Sequence, residues 1–361
     1  MAVAFSKIEL RNFRCFDFLS LDLSSRSSLF YGKNGCGKTS ILESIYVASS
    51  GRSFRSTNLG ALIKEGSKSF KIKAFDDETG SILEVNKAKS EAINIKINNS
   101  HVTISELARS FPAFSIDSKT FFYNENSPEY RRKHIDRGLF IASKEYATDW
   151  FGYFRALKQR NAALKQGDLA HATAYNQSLI QHGKKITDLR ENLVSEVKKI
   201  YFRLIEHIEN YNNRAKIFSC LDIYLKFGFS KEIGLSQSIE RAESTDVKRR
   251  TTTVGPHKAD IIFESKGSLI KDIFSRGEQK MISIVWSLAQ NIYLKRNFNI
   301  NPILLLDDIS SELDLEMLDC LIHMMEYIEN RFIFSNIDDL FDSKIDLNEP
   351  LFKKFHVEQL A

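Results

Sequence analysis

The 361-residue chain is 43% hydrophobic and 27% charged, the balance of a soluble globular protein long enough for two domains or one large domain with an insertion. No run of 18 apolar residues occurs, which excludes a membrane-spanning helix, and the charged opening MAVAFSKIELRNFRCF lacks the apolar core of a secretory signal. A net charge of +5 permits a polyanionic partner without demanding one, and four widely spaced cysteines (Cys15, Cys36, Cys220, Cys320) form neither a CxxC pair nor a zinc set, so a reduced, cytoplasmic protein is expected.

In chain order, KIEL (7–10) and SLDL (20–23) alternate as half-buried strands, and SSLFYG (27–32) reads as a buried strand running into a glycine loop. A helix over TSILESIYVASS (39–50) follows. FKIKAF (70–75), SILEVN (81–86), INIKIN (93–98) and HVTI (101–104), separated by turn signals, then predict an antiparallel meander. Between Pro128 and Pro256 there is no proline, and helix-forming residues dominate. Trp150, Phe154, Leu157 and Leu164 recur at helical spacing. After the break at KQGD (165–168), Ile186, Leu189, Leu193, Val197, Ile200, Leu204 and Ile208 step by threes and fours. That seam fits a helical hairpin or short coiled coil, or equally one helix packed on a globular core. From Leu221 the strand signal returns in LDIYLKF (221–227) and HKADIIFE (257–264). A helix after SRGEQK (275–280), the run PILLLDD (302–308), a helix over LEMLDCLIHMMEYIEN (315–330) and the strand RFIFSN (331–336) complete the pattern.

Three segments carry chemistry. Gly32, Lys33, Asn34, Gly35, Cys36, Gly37, Lys38, Thr39 and Ser40 fit G-x-x-x-x-G-K-[ST] between a predicted strand and a predicted helix. In such a loop backbone amides wrap phosphates, Lys38 reaches the β and γ phosphates, and Thr39 holds Mg²⁺. PILLLDD reads as a buried parallel strand ending in two acids, of which Asp307 suits the Mg²⁺ and Asp308 the position of a base for an attacking water. Ser275, Arg276, Gly277, Glu278 and Gln279 open a helix with a capping box, leaving amide N–H groups and a positive dipole end facing an anion.

A phosphate loop, a serine–glycine helix start and a strand ending in acids, in that order, resemble the ABC-type ATPases, in which the serine–glycine segment faces the γ-phosphate held by the other subunit. The resemblance extends to the RecF family of bacterial recombination mediators. It is carried by IELRNFRCFDFLSLDL, GKNGCGKTSILESIYVASSGRSFR, NSPEYRRKHIDRGLF, TTTVGPHKADI, SRGEQK and LLLDDISSELD, spread from Ile8 to Asp314.

The resemblance implies an α/β fold: an ABC-type ATPase head with a mixed or antiparallel β lobe, and a helical lobe with a short coiled-coil-like arm. The head is expected over 1–115 and 220–361, and the inserted arm over 116–219. It further implies ATP and Mg²⁺ as cofactors, an ATP-dependent homodimer, and double-stranded and gapped DNA, RecR, RecO and RecA as partners. Weak DNA-stimulated ATPase activity would act as a switch. In this frame Ser275–Gln279 complete the partner's site, Asp308 is the catalytic acid, and Asp314 lies in a loop crossing the dimer interface.

Asp117, in SIDSK, takes the place of the family's PEDL-like segment. Ser335 matches a small hydroxyl residue of the family, and Asn336 has no assigned role. Cys36 replaces the usual glutamine or alanine, which backbone binding tolerates. A nuclease-associated ATPase of the overcoming-lysogenization type is the alternative, and a transporter ATPase would need a switch histidine after FIFSN that the sequence lacks. RRKH (131–134) and VKRR (247–250) are candidate DNA contacts, although such runs are more often solvated faces or internal ion pairs.

Overall fold

The computed structural model describes residues 5–117, 120, 123–309, 313–328, 330–336 and 352–360. They divide into two compact units, one of residues up to 121 and from 294 onward, the other of residues 122–293. The first joins segments far apart in sequence, and the second is continuous.

In the first unit, β1 (Lys7–Phe13), β2 (Phe16–Asp22), β4 (Ser69–Asp76), β5 (Ser81–Ala88), β6 (Asn94–Ile97) and β7 (Ser100–His101) form an antiparallel sheet in the order β2-β1-β4-β5-β6-β7. Alternation sets its register: Ile8 and Leu10 are fully buried and stand opposite Ala74 and Ile72 of β4. The expected strand HVTI is cut short. Thr103 accepts from the Glu106 N–H and Glu106 accepts from the Thr103 N–H, a capping box that starts helix α2 (Ile104–Ser110) where the strand would have continued.

A second sheet is all parallel, in the order β14-β3-β13-β12-β8, from β3 (Ser27–Tyr31), β8 (Ala113–Ile116), β12 (Ile303–Asp307), β13 (Arg331–Asn336) and β14 (Phe352–His356). Leu304, Leu305 and Leu306 are buried, as a strand covered on both faces requires. Helix α1 (Lys38–Ser50) packs on β8, β12 and β13 and also on β1, β4 and β5. Lying between the sheets, it has 12 of its 13 residues buried, so its apolar surface runs all round rather than along one stripe.

In the second unit, α3 (Pro128–Ala142), α4 (Lys144–Gln166), α5 (Leu169–Ala174), α6 (Asn176–Tyr211) and α7 (Gly234–Arg249) accompany a small antiparallel sheet of β9 (Asp222–Lys226), β10 (Asp260–Ser265) and β11 (Ser268–Leu269). Two further helices follow, α8 (Ile270–Ile273) and α9 (Arg276–Phe298). Gly152 lies against His182, Tyr153 against Gly183, and Arg160 bonds Asn176. Numbers rising along α4 meet numbers falling along α6, so the two helices form an antiparallel hairpin, while from Leu193 onward α6 runs past the start of α4 and packs on residues 213–220 and β9. Ile186, Leu193, Val197, Ile200, Leu204 and Ile208 are buried as expected, and Leu189 is half-buried. The compact unit extends beyond the expected insertion, because residues 220–293 group with the helices. Among the described residues, no helix is long and apolar enough to cross a membrane.

Candidate nucleotide site

The parallel sheet brings four chain segments to one edge, the carboxyl ends of its strands, where open α/β sheets bind ligands. β3 leads into Gly32, β12 ends at Asp307, β13 ends at Ser335 and Asn336, and β8 ends just before Asp117. The phosphate loop turns through positive φ at Gly32 (145°), Gly35 (85°) and Gly37 (110°). Gly37 has no room for a side chain, since a Cβ there would sit 2.6 Å from the Phe16 ring and 2.9 Å from Cys15 Sγ. The tip of the β1–β2 hairpin therefore backs the loop. A Cβ at Gly35 would meet nothing within 4 Å, so at this point positive φ alone asks for glycine.

Lys38 is buried, and its Nζ donates to the carbonyl oxygens of Gly32 and Lys33, the latter at 2.8 Å. The ammonium is thus held inside the curve of the loop by neutral acceptors. One residue on, Thr39 Oγ1 donates to Asp307 Oδ1 at 2.9 Å, and Ser335 Oγ donates to the same oxygen at 2.6 Å. Burial pushes the Asp307 carboxyl above the ordinary carboxylate range, and neighbouring Asp308 adds to this. The bonds from Ser335 and Thr39, and the field of Arg55, pull the other way. Hard oxygens of one carboxylate and one hydroxyl, beside a phosphate loop, fit Mg²⁺, which keeps waters and is completed by substrate phosphates. Asp308 takes left-handed backbone, φ 52°, and its N–H donates to both the carbonyl and the Oγ of Ser335.

Asp117 is buried and accepts from the Thr120 N–H at 3.1 Å, and Asn336 is buried at the end of β13. Asp314 is the N-cap of α10 (Leu315–Tyr327), accepting from the Met317 N–H at 2.9 Å. Ser275 to Gln279 belong to the other compact unit. There the expected capping box forms, with the Ser275 N–H donating to Glu278 Oε2 at 2.8 Å and the Glu278 N–H to Ser275 Oγ. Ser275 and Arg276 are exposed. Gln279 is buried and donates to the Phe274 carbonyl, and a Cβ on Gly277 would meet nothing within 4 Å. The helix start therefore presents bare backbone to solvent.

Sequence reasoning missed the brace behind the loop. Arg14, at the hairpin tip with φ 52°, donates twice to the fully buried Glu43 of α1, and the Ser53 hydroxyl donates to the same carboxylate. Its one legible trace was GRSFR, in which Ser53 lies ten residues after Glu43. Of the basic runs, RRKH does not form a free cationic surface. Arg131 forks onto Asp260 and onto loop carbonyls, Arg132 donates to the Ala259 carbonyl, Lys133 pairs with Glu129, and His134 is half-buried beside Gln290. VKRR is exposed from Val247 to Arg250.

Residues 4–343 match the family of RecF/RecN/SMC N-terminal domains. The DNA replication and repair protein RecF of Francisella tularensis subsp. holarctica is 34% identical over 316 residues, covering 86% of this chain and 87% of that protein. Its counterpart of the same description in Hahella chejuensis is 29% identical over 388 residues, covering 99% of this chain and 98% of that one. A solved structure of the recombination mediator protein RecF-ATP in the RecFOR pathway superposes with a TM-score of 0.79 at 22% identity, over 99% of this chain and 98% of that chain.

Proposed function

This chain belongs to the RecF family, and on that premise we propose that it is a DNA replication and repair protein of the recombination-mediator kind, switched by ATP. The observation that carries the reading is the Thr39–Asp307–Ser335 cluster beside Lys38 at the end of the parallel sheet. Lys38 and the amides of the loop and of the α1 N-terminus bind the β and γ phosphates. Thr39 and Asp307 would hold Mg²⁺, which would supply charge neutralisation to the phosphates. Asp308 orients the attacking water and accepts its proton. Ser275, Arg276, Gly277, Glu278 and Gln279 meet the γ-phosphate of a second copy, so that ATP closes a homodimer, and Asp314 lies at that interface. The closed dimer binds duplex DNA near single-strand gaps through the phosphate backbone and, with RecO and RecR, favours loading of RecA.

Light scattering with ATP, ADP and no nucleotide, with and without a gapped duplex, tests this directly. ATP is expected to give a dimer and ADP a monomer. Ser275→Arg is expected to bind ATP nearly as the unaltered chain does, yet neither dimerise nor hydrolyse it, while Asp308→Asn accumulates as an ATP-bound dimer. Ser275→Arg monomer hydrolysing ATP at the unaltered rate would overturn action across a shared site.

A further inference from the structure

Glu43 lies on α1 one helical turn after Thr39, and it is fully buried. Three donors from two other segments converge on its carboxylate. Arg14 Nε donates to Glu43 Oε2 at 2.8 Å and Arg14 Nη2 to Oε1 at 3.0 Å, while the Ser53 hydroxyl donates to Oε1. The Ser53 oxygen also accepts from the Arg55 N–H at 3.0 Å and the Ser56 N–H at 2.8 Å. One buried carboxylate thereby joins the helix leading out of the phosphate loop, the β1–β2 tip and the turn at 53–56.

Arg14 and Cys15 form the two-residue tip, with Phe13 pairing with Phe16 across it. Arg14 has φ 52°, where so short a hairpin favours glycine or asparagine. Its left-handed backbone is held by the fork onto Glu43, and by the Arg14 N–H and Nη1 donating to the Leu62 and Ala61 carbonyls. Packing alone does not ask for charge here. Helix α1 is buried in an apolar core, where an ion pair is often no more stabilising than apolar residues of similar volume. What a fork and a hydroxyl add is direction. Both segments that they fix border the nucleotide site. The tip sets Cys15 and the Phe16 ring against Gly37 of the loop, and the turn carries Arg55, whose charge reaches Asp307. We propose that Glu43 is a positioning residue of the nucleotide site, its carboxylate holding the tip and the 53–56 turn in the arrangement that ATP requires. This rests on the ATP-binding reading above and gives the site a carboxylate that acts only through other residues.

Calorimetric binding of ATP with Mg²⁺ and thermal unfolding, both on the full chain, separate position from stability. Arg14→Lys keeps a charge opposite Glu43 but not the fork, and Ser53→Ala removes the hydroxyl while leaving the ion pair. Each is expected to weaken ATP binding about fivefold, with the unfolding temperature nearly unchanged. Introduced into a Glu43→Gln chain, the same changes should each cost less than about twofold more, because they act through a shared partner. The sharpest variant exchanges the pair for apolar residues, Arg14→Met with Glu43→Leu. It is expected to unfold close to or above the unaltered temperature, yet to bind ATP about tenfold more weakly. Unaltered ATP affinity in that variant would make Glu43 a structural residue and overturn the inference. So would losses from Arg14→Lys and Ser53→Ala that stay undiminished in the Glu43→Gln chain. Should the apolar pair not fold, the two single variants decide, and unaltered affinity in both overturns the inference. An unaltered chain that binds no ATP refutes the ATP-binding reading, whereas one that binds it no better than these variants refutes this inference alone.

Discussion

The phosphate loop and the continuous unit treat buried charge in opposite ways. In residues 122–293 it is closed: Arg190 forks onto Asp136, which also accepts from Tyr146 and Trp150, Arg160 meets Asp246, and Arg131 forks onto Asp260. Each ion faces an ion of opposite sign and further donors or acceptors. At the phosphate loop it is open. Lys38 is held by carbonyl oxygens and Asp307 by two hydroxyls, neutral groups that a phosphate or a divalent cation outcompetes. Closed charges fix a shape, and open ones await a ligand of their own strength.

The comparison breaks most visibly at Arg190. Arg190→Ala leaves Asp136 buried without its counter-ion and is expected to cost about 3–5 kcal/mol in urea unfolding. A loss below about 1 kcal/mol would mean that the network does not hold the hairpin in place. Acid probes the same unit next. Burial draws His134 and His257 down to about 4 from an ordinary 6.5. The unfolded chain takes up these protons near 6.5 and the folded chain only near 4, so unfolding binds protons across that window and stability falls as pH is lowered through it. The ceiling is about 3 kcal/mol per histidine, read from melting curves between these limits. His134→Gln together with His257→Gln should remove most of that slope. Smallest in stability is Lys38→Ala, which removes an open charge: unfolding should move by less than about 1 kcal/mol while ATP binding is lost, measured by calorimetry on the same sample. A large loss of stability here would make Lys38 a structural residue and erase the contrast.

How far the fold could be read beforehand follows the same division. The phosphate loop was legible because its glycines answer local backbone demands, and PILLLDD because a doubly covered strand must be apolar throughout. The hairpin of α4 and α6 was legible as a period but not as a pairing. Its partners are fixed by contacts such as Tyr153 on Gly183, which no local pattern encodes. Strand β8 (AFSI) and strand β14 (FKKFH) were missed, being only four and five residues long. HVTI was read as a strand although Thr103 and Glu106 already spelled a capping box, so a local signal was present and was outweighed by alternation. Helix α7 went unseen because its buried positions include Ser238 and Asp246, which carry no hydrophobic period. For the site, each acid was placed by its strand, whereas Glu43 and Arg14 meet only through the tertiary fold.

The parallel sheet also sets an order of events during synthesis. β3 is made within the first tenth of the chain, yet its neighbour β13 follows some three hundred residues later, Phe30 pairing with Ser335. Residues 122–293, being continuous, can fold as they leave the ribosome. The phosphate loop meanwhile waits with its strand unpaired and Thr39 without Asp307. The nascent chain therefore assembles its helical unit before it can grip a nucleotide, and the buried strand Ser27–Tyr31 spends that interval as the segment most in need of a chaperone.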